Sequence, residues 1–514
     1  MKTSLRSKGS QVGPIAFFRI AVMVGLAWAV PAFSGQTTGS GNGAASIVVP
    51  QQFKSDSLPN WQDQAPEPNS QGATSWWTVF GDGVLNQLEE RALVANQDLQ
   101  GAISRVIEAR AEASAVASGL YPKVTAPLLA TRLHTTNTGP VTTSRIIGNG
   151  LFSVAPGTTF GGQALSNTFN DLQVPLALGY EVDVFGRVRH AYGQARANAE
   201  ASLADRMGVK LSLTAQVAAI YFALRSADSE VAVLQHTVGL RAEAEQLQGQ
   251  RVKGGTASDV DLLRARVESA NTEADLIDAV QKRAQLEDAL AELCGENASS
   301  FHLSPQPLNE QAPPPVPATI PAQLLSQRPD LVEAESRIIS ANEGVKAARA
   351  QFYPVLSVQA GYGFESSQTN QLLENQSHTW SIAGAINIPI FDGGRNAADL
   401  KVARSRDEQA YIAYRETALR AFREVEDALS NLRERATQAD ARKRAADDAR
   451  RVFEASQRSY SEGGMSYFEV IDSQRVLLNA ELSKVRTLSG RYLATVDLIR
   501  ALGGGFEGTV EVPK

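Results

Sequence analysis

Residues 380–400 read WSIAGAINIPIFDGGRNAADL, and this stretch decides what kind of molecule the chain forms. Trp380, Ile382, Ile386, Ile388 and Ile390 fall on one face of an extended strand, while Ser381, Ala383, Ala385, Asn387 and Pro389 fall on the other. This is the period-two pattern of a strand with two unlike sides, one large and oily, the other small or polar. After Asp392-Gly393-Gly394 the period becomes helical and holds to about Glu462. At the rise of an α-helix that rod reaches roughly 100 Å. No ordinary globular domain needs such a length.

The same order occurs twice. Leu120-Tyr121-Pro122 recurs as Phe352-Tyr353-Pro354, and Asn96-Gln97-Asp98-Leu99 as Arg328-Pro329-Asp330-Leu331, each 232 positions on. Gly186-Arg187 recurs as Gly394-Arg395, Gly255 as Gly463, and Asp261-Leu262 as Glu469-Val470, each 208 positions on. The offset falls by 24 because the polar loop at about 137–170 is longer than its counterpart at about 367–377. A length change confined to one loop, with register kept on both sides, marks a tandem structural repeat. Each half is expected to hold a shorter helix, a strand, a loop, a strand, a very long helix, a turn and a shorter helix. The expected boundaries are a signal peptide at 1–34, an extended segment at 35–75, repeats at 76–295 and 328–505, a proline-rich crossover at 296–327 and a tail at 506–514.

The first long helix carries Leu213, Val217, Ile220, Leu224, Ala227, Val231, Leu234 and Val238 at alternating spacings of four and three, a sustained heptad. The expected seam of its partner is Leu263, Val267, Ala270, Ala274 and Ile277; the second half continues with Ile471, Leu478, Leu482, Val485, Tyr492, Val496 and Ile499. Such rows are those of antiparallel coiled-coil hairpins, and alone they mark ordinary bundle core. The strands add what a bundle does not need. Leu172, Val174, Leu176, Leu178, Tyr180, Val182 and Val184 alternate with polar or small residues, as do Leu356, Val358, Ala360, Tyr362 and Phe364. Each run is long enough to cross a bilayer at a barrel's tilt. A further strand, Tyr121 to Thr136, alternates poorly and is assigned by the repeat. In lipid every backbone polar group must be paired, so strands cross only in a closed barrel. Four strands are too few to close one, so the barrel is shared between chains. The fold class expected is an α+β membrane protein.

The amino-terminal stretch reads as an export signal: Lys2, Arg6, Lys8 and Arg19, then the apolar run Ile20 to Val30 and the small-residue site Ala32-Phe33-Ser34. Removing those four cations moves the formal net charge from −6 to −10, which argues against nucleic acid as a partner. Cys294 is the single cysteine and excludes an internal disulfide or a cysteine-rich zinc site.

Taken in order, "WWTVFGDGVLNQLEERALVANQDLQGAISRVIEARAE" (76–112), "GYEVDVFGRVR" (179–189), "QRPDLVEAE" (327–335), "IPIFDGGR" (388–395) and "YSEGGMSYFEVIDSQRVLLNAE" (460–481) resemble the TolC-like outer-membrane factors, in particular the NodT/OprM-like branch of efflux channels. The resemblance implies a homotrimer with a twelve-stranded barrel in outer-membrane lipid and an α-helical tunnel across the periplasm. It implies docking to a periplasmic adaptor and an inner-membrane pump of RND type, in an exit duct that conducts passively. Type I protein secretion uses the same architecture and is the alternative; a coiled-coil envelope protein or a secreted enzyme on a helical scaffold are readings from other classes. Two departures stand out. No cysteine follows the signal, so lipid anchoring is not expected. Met465 stands where the family can place a gate-closing arginine.

No cofactor or metal site is expected: His134, His190, His236, His302 and His378 lack ligand spacing. Glu469 and Asp472, three apart near a helix start, point the same way. They read as a general acid/base pair, as charges that suit a helix N-terminus, or, in a ring of three copies, as a carboxylate constriction. The hairpins turn at Gly254-Gly255 and Gly463-Gly464, a rod's length from the strands. By resemblance these tips dock the adaptor and the second hairpin carries the constriction. The entrance set is then Tyr460, Glu469 and Asp472, with Asp261 at the repeat-equivalent position and Arg251 as a neighbouring donor.

Overall fold

The computed structural model describes residues 75–134, 145–147, 150–152, 168–314 and 328–504, all within the compact unit Ile47–Lys514. The expected leader, tail, most of the extended N-terminal segment and part of both the long loop and the crossover lie outside them. The helices are α1 (Gly83–Ala95), α2 (Gln97–Ala117), α3 (Arg187–Lys253), α4 (Asp259–Leu293), α5 (Pro329–Ala350), α6 (Arg395–Ser461) and α7 (Tyr467–Ala501). The strands are β1 (Lys123–Thr125), β2 (Leu129–His134), β3 (Arg145–Ile147), β4 (Gly150–Phe152), β5 (Thr168–Val182), β6 (Val355–Ser366) and β7 (His378–Asn387). The repeat is plain in the helices: α3 and α6 each have 67 residues, α4 and α7 each 35. A helix of that greater length extends about 100 Å.

One antiparallel sheet runs β1/β2, β5, β6, β7. The repeat fixes its ladders. Lys123 faces Gly179, and moving these residues by their offsets of 232 and 208 gives Val355 facing Asn387, the pairing seen between β6 and β7. The expected strand at 121–136 is split into β1 and β2, yet both keep one register on β5. Continuing that register puts Pro127 opposite Pro175. Neither has an amide hydrogen to donate, so the ladder opens there without slipping. Gly363 also faces Pro175, and a Cβ at that position would lie 2.3 Å from the Val174 carbonyl oxygen; only glycine fits. β7 ends at Asn387, short of the expected Ile390, with Pro389 just beyond.

Other expectations are corrected. The helical period predicts one unbroken helix at about 84–118, but it is broken at Asn96, whose side chain accepts from the Leu99 amide at 3.1 Å and donates to the Leu293 carbonyl at 3.1 Å. An asparagine with that geometry starts a new helix. The α3 heptad is buried or half-buried throughout, but the proposed α4 seam is not. Leu263, Val267 and Ile277 are 56, 58 and 61% exposed, whereas Ala265, Thr272 and Ala279, seven apart, are buried. Small residues let two helices approach closely, so they occupy the seam and the larger row is left outside. The prolines of 304–321 predict an extended rather than a packed crossover, yet it is packed where it is described: Leu308 is buried in the main core, as is Phe301 just before it. That core joins Leu85, Val217, Leu224, Leu331, Val425 and Leu498 from α1, α3, α5, α6 and α7, with Phe222 against Tyr492 at 4.7 Å.

Candidate functional site

Each register pairs even-numbered residues with even-numbered ones, so one face is continuous across the sheet. Leu176 faces Tyr362, which faces Trp380; on the opposite side Ala177 faces Gly361, which faces Ser381. The first face is oily and open: Trp380, Ile382 and Ile386 are 67, 72 and 66% exposed. With 15, 12 and 10 residues, β5, β6 and β7 match the roughly 9–11 residues that a tilted strand needs to cross a bilayer.

Both strands that lead into the long helices do so through an aspartate. Asp183 accepts from the Val188 and Arg189 amides at 3.2 and 2.8 Å, and Asp392 from the Gly394 and Asn396 amides, both at 2.8 Å. The free amides of a helix start favour a carboxylate there. Those of Asn396 and Gly394 hold the Asp392 carboxyl below its ordinary range. Arg187, in the first turn of α3, grips Glu181 of β5 through two bonds of 2.9 and 2.6 Å.

At the far ends of the hairpins, Gly255 and Gly463 turn the chain at φ of 71° and 78°, the left-handed region that glycine enters without cost. Ser258 caps α4 by accepting from the Val260 amide, and Ser466, its repeat counterpart, caps α7. Glu469 completes a capping box: its Oε2 accepts from the Ser466 amide at 2.9 Å and from the Ser466 hydroxyl at 3.1 Å. Asp472 pairs with Arg475 at 2.7 Å, and Asp261 lies 3.6 Å from Arg264. Arg251 takes neither carboxylate. It donates to the Tyr460 hydroxyl and stands 4.9 Å over that ring, while Gln248 Nε2 donates to the same hydroxyl at 2.8 Å. Tyr460 in turn sits 5.5 Å from Tyr467, whose phenol burial pushes up to about 12. Of the residues singled out in the sequence, Arg251 and Tyr460 thus meet and tie α3 to α6; Glu469, Asp472 and Asp261 hold partners on their own helices. A groove of about 300 Å³ between α4 and α7 brings Val260, Leu263, Val267, Phe468 and Ile471 together with Asp472.

Sequence reasoning missed Gln248 and Arg241, although a signal existed. Continuing the α3 heptad from Ala227 and Leu234 in steps of seven lands on both, and both are buried. Arg241 donates to the Glu268 carbonyl at 2.6 Å and pairs with the Glu268 carboxylate at 3.0 Å. A second missed group holds the crossover. Asp228 accepts from Arg225 at 3.0 Å, Arg283 at 2.7 Å and the Gln306 amide at 3.0 Å, while Glu287 accepts from the Leu303 amide at 2.6 Å.

Residues 88–296 and 320–504 match the family described as outer membrane efflux protein. The chain belongs to that family. It is 29% identical over 464 residues to the cation efflux system protein CusC of Escherichia coli O6:H1, covering 90% of this chain and 94% of that one. It is 32% identical over 347 residues to the outer membrane protein OprJ of Pseudomonas aeruginosa, covering 66% and 72%. The crystal structure of the CmeC outer membrane channel of Campylobacter jejuni aligns with a TM-score of 0.78 and 25% identity over 88% of this chain and 91% of that one. This efflux protein is accordingly an outer-membrane exit duct of the TolC-like fold, with a barrel sheet in the membrane and a helical tunnel in the periplasm. Families of this kind are channels rather than enzymes.

Proposed function

We propose that three copies of this efflux protein close one twelve-stranded barrel and one tunnel, and that the tunnel passively conducts cargo handed over by a periplasmic adaptor and an inner-membrane pump of RND type. One observation carries the reading. A single sheet four strands wide, oily on one face and small or polar on the other, leaves both outer edges without a strand partner among the described residues and feeds directly into 67-residue helices. Open edges in lipid leave backbone groups unpaired, and other copies supply the pairing. The exposed row Leu263, Val267 and Ile277 on α4 supports the same assembly, since a neighbouring helix would cover it.

The entrance lies at the tips, where Gly254-Gly255 and Gly463-Gly464 turn the hairpins and offer the adaptor its docking points. Tyr460, held by Arg251 and Gln248, fixes the two hairpins in register there. Asp472, Asp261 and Glu469 supply negative charge around the three-fold axis, and like charges so crowded attract cations. Because Glu469 also caps α7, the clean test changes the other two. Asp472→Asn with Asp261→Asn is expected to form trimers in detergent and to lose a large part of wild-type cation selectivity in planar bilayers. A variant that selects like wild type removes these carboxylates from the constriction. A wild-type protein that is a soluble monomer without detergent ends the whole reading.

A further inference from the structure

The internal repeat determines a ladder that the single chain leaves unmade. In the sheet order the outer members are β1/β2 and β7, and among the described residues no strand is paired to their outer edges. The first repeat supplies β1/β2 and β5; the second supplies β6 and β7. Going round a closed barrel, the contact between β5 and β6 is a step from the second strand of one repeat to the first strand of the next. The contact between β7 and the β1/β2 of another copy is the same step.

The offsets can therefore be applied to it, as they were to the β1–β5 pairing, where they reproduce the β6–β7 register residue for residue. Within the chain Leu178 faces Ala360, Ala177 faces Gly361, and Leu172 faces Ser366. Advancing the β5 residue by 208 and setting the β6 residue back by 232 turns these into Ile386 facing Leu128, Ala385 facing Leu129, and Trp380 facing His134 of a neighbouring copy. We infer that β7 of one copy pairs antiparallel with β1/β2 of the next in this register, and no other. The inference rests on the trimeric reading above and adds to it the register, which that reading leaves open.

The parity of the register agrees with the faces of the sheet. Even-numbered residues again meet even-numbered ones, so Ile386 with Leu128 extends the oily face and Ala383 with Thr131 the small one, while Arg132 and His134 fall opposite Ile382 and Trp380 towards the loop end of that oily face. A slip by one residue would turn every β1/β2 side chain to the wrong face. Slips by two keep the faces, and these are the competitors to exclude. The register also carries a stagger. From Val124 through Leu178 the ladder reaches Ala360, whose repeat counterpart is Leu128, so each repeat climbs four residues. Strand number, tilt and stagger are linked in a barrel, and a slip of β7 toward Pro127 would close it with less stagger.

Disulfide trapping distinguishes these cases, because residues directly opposite in an antiparallel pair have Cα atoms about 4.5–5.5 Å apart, within reach of a disulfide. The native Cys294 does not interfere: it is buried and burial pushes its thiol up to about 11. Ala385→Cys is combined in turn with Pro127→Cys, Leu129→Cys and Thr131→Cys, all on one face and two residues apart, in the full chain in outer membranes. Oxidation is expected to give a reducible covalent trimer with Leu129→Cys, and at least tenfold less of it with the other two. The adjacent pair Gly384→Cys with Ala130→Cys, on the opposite face, is expected to trap as well. A trimer trapped chiefly through Pro127→Cys or Thr131→Cys overturns the register and leaves the trimeric duct standing. No trapping from any pair in a protein that native electrophoresis shows to be trimeric overturns the β7–β1/β2 contact itself. A protein that is not trimeric before oxidation overturns the functional reading instead.

Discussion

Glu89 of α1 has no exposed surface, and neither of its carboxylate oxygens has a hydrogen-bond partner among the described residues. Burial pushes its carboxyl up to about 9, so it is neutral in the folded protein at pH 7. A carboxyl whose folded value lies above its unfolded one favours folding most when both states are protonated, below the ordinary value of 4.5. That contribution is lost as pH rises towards 9, because the unfolded state releases its proton first. Glu89→Gln keeps the shape without the proton. It is expected to raise the thermal midpoint in detergent at pH 8 by the equivalent of about 1 kcal/mol or more, with little change at pH 4.5. An equal shift at both values would show that Glu89 does not titrate in this way. No local pattern in the sequence distinguishes Glu89 from the exposed Glu90 beside it except its helical phase with Leu85, Leu88 and Ala92.

Among the elements, the crossover departs most from its composition. Prolines at 305 and 307 cannot join a ladder, yet the segment is fastened by side chains from helices far away in sequence. Asp228 is almost wholly buried and bonds two arginines as well as the Gln306 amide. Breaking one partner of such a buried group strands the opposite charges, a loss of about 3–5 kcal/mol. Asp228→Ala is therefore expected to expose residues 301–312 to proteolysis in otherwise folded protein; equal protection of that segment in variant and wild type would contradict the strap. Asn96 makes the same point on a smaller scale. Its capping role is legible from residue type, but its bond to the Leu293 carbonyl is not, because the two lie in different elements.

At the scale of the whole molecule, α3 and α4 assign different duties to their apolar rows. Leu224 is fully buried inside the chain, and Leu263 is 56% exposed. Leu224→Ala is expected to destabilise the subunit by about 2–5 kcal/mol, read as loss of folded protein. Leu263→Ala is expected to leave the subunit folded and lower the temperature at which trimers dissociate in mild detergent. Identical behaviour of the two variants would place both rows in the same interface. Strand alternation, the switch to helical period after Gly394, the two offsets and the glycine turns were all readable along the chain, because each depends on neighbours within a few residues or on the repeat. The α4 seam was not, because periodicity reports that a row is apolar and is silent on whether its cover comes from the same chain or another copy. Tertiary packing put Ala265, Thr272 and Ala279 in the seam, where their small side chains allow α3 to come close, and left the larger residues for a second surface. It likewise brought Arg251 and Gln248 onto Tyr460 across more than 200 positions, a meeting that only the side-by-side docking of two separate rods produces.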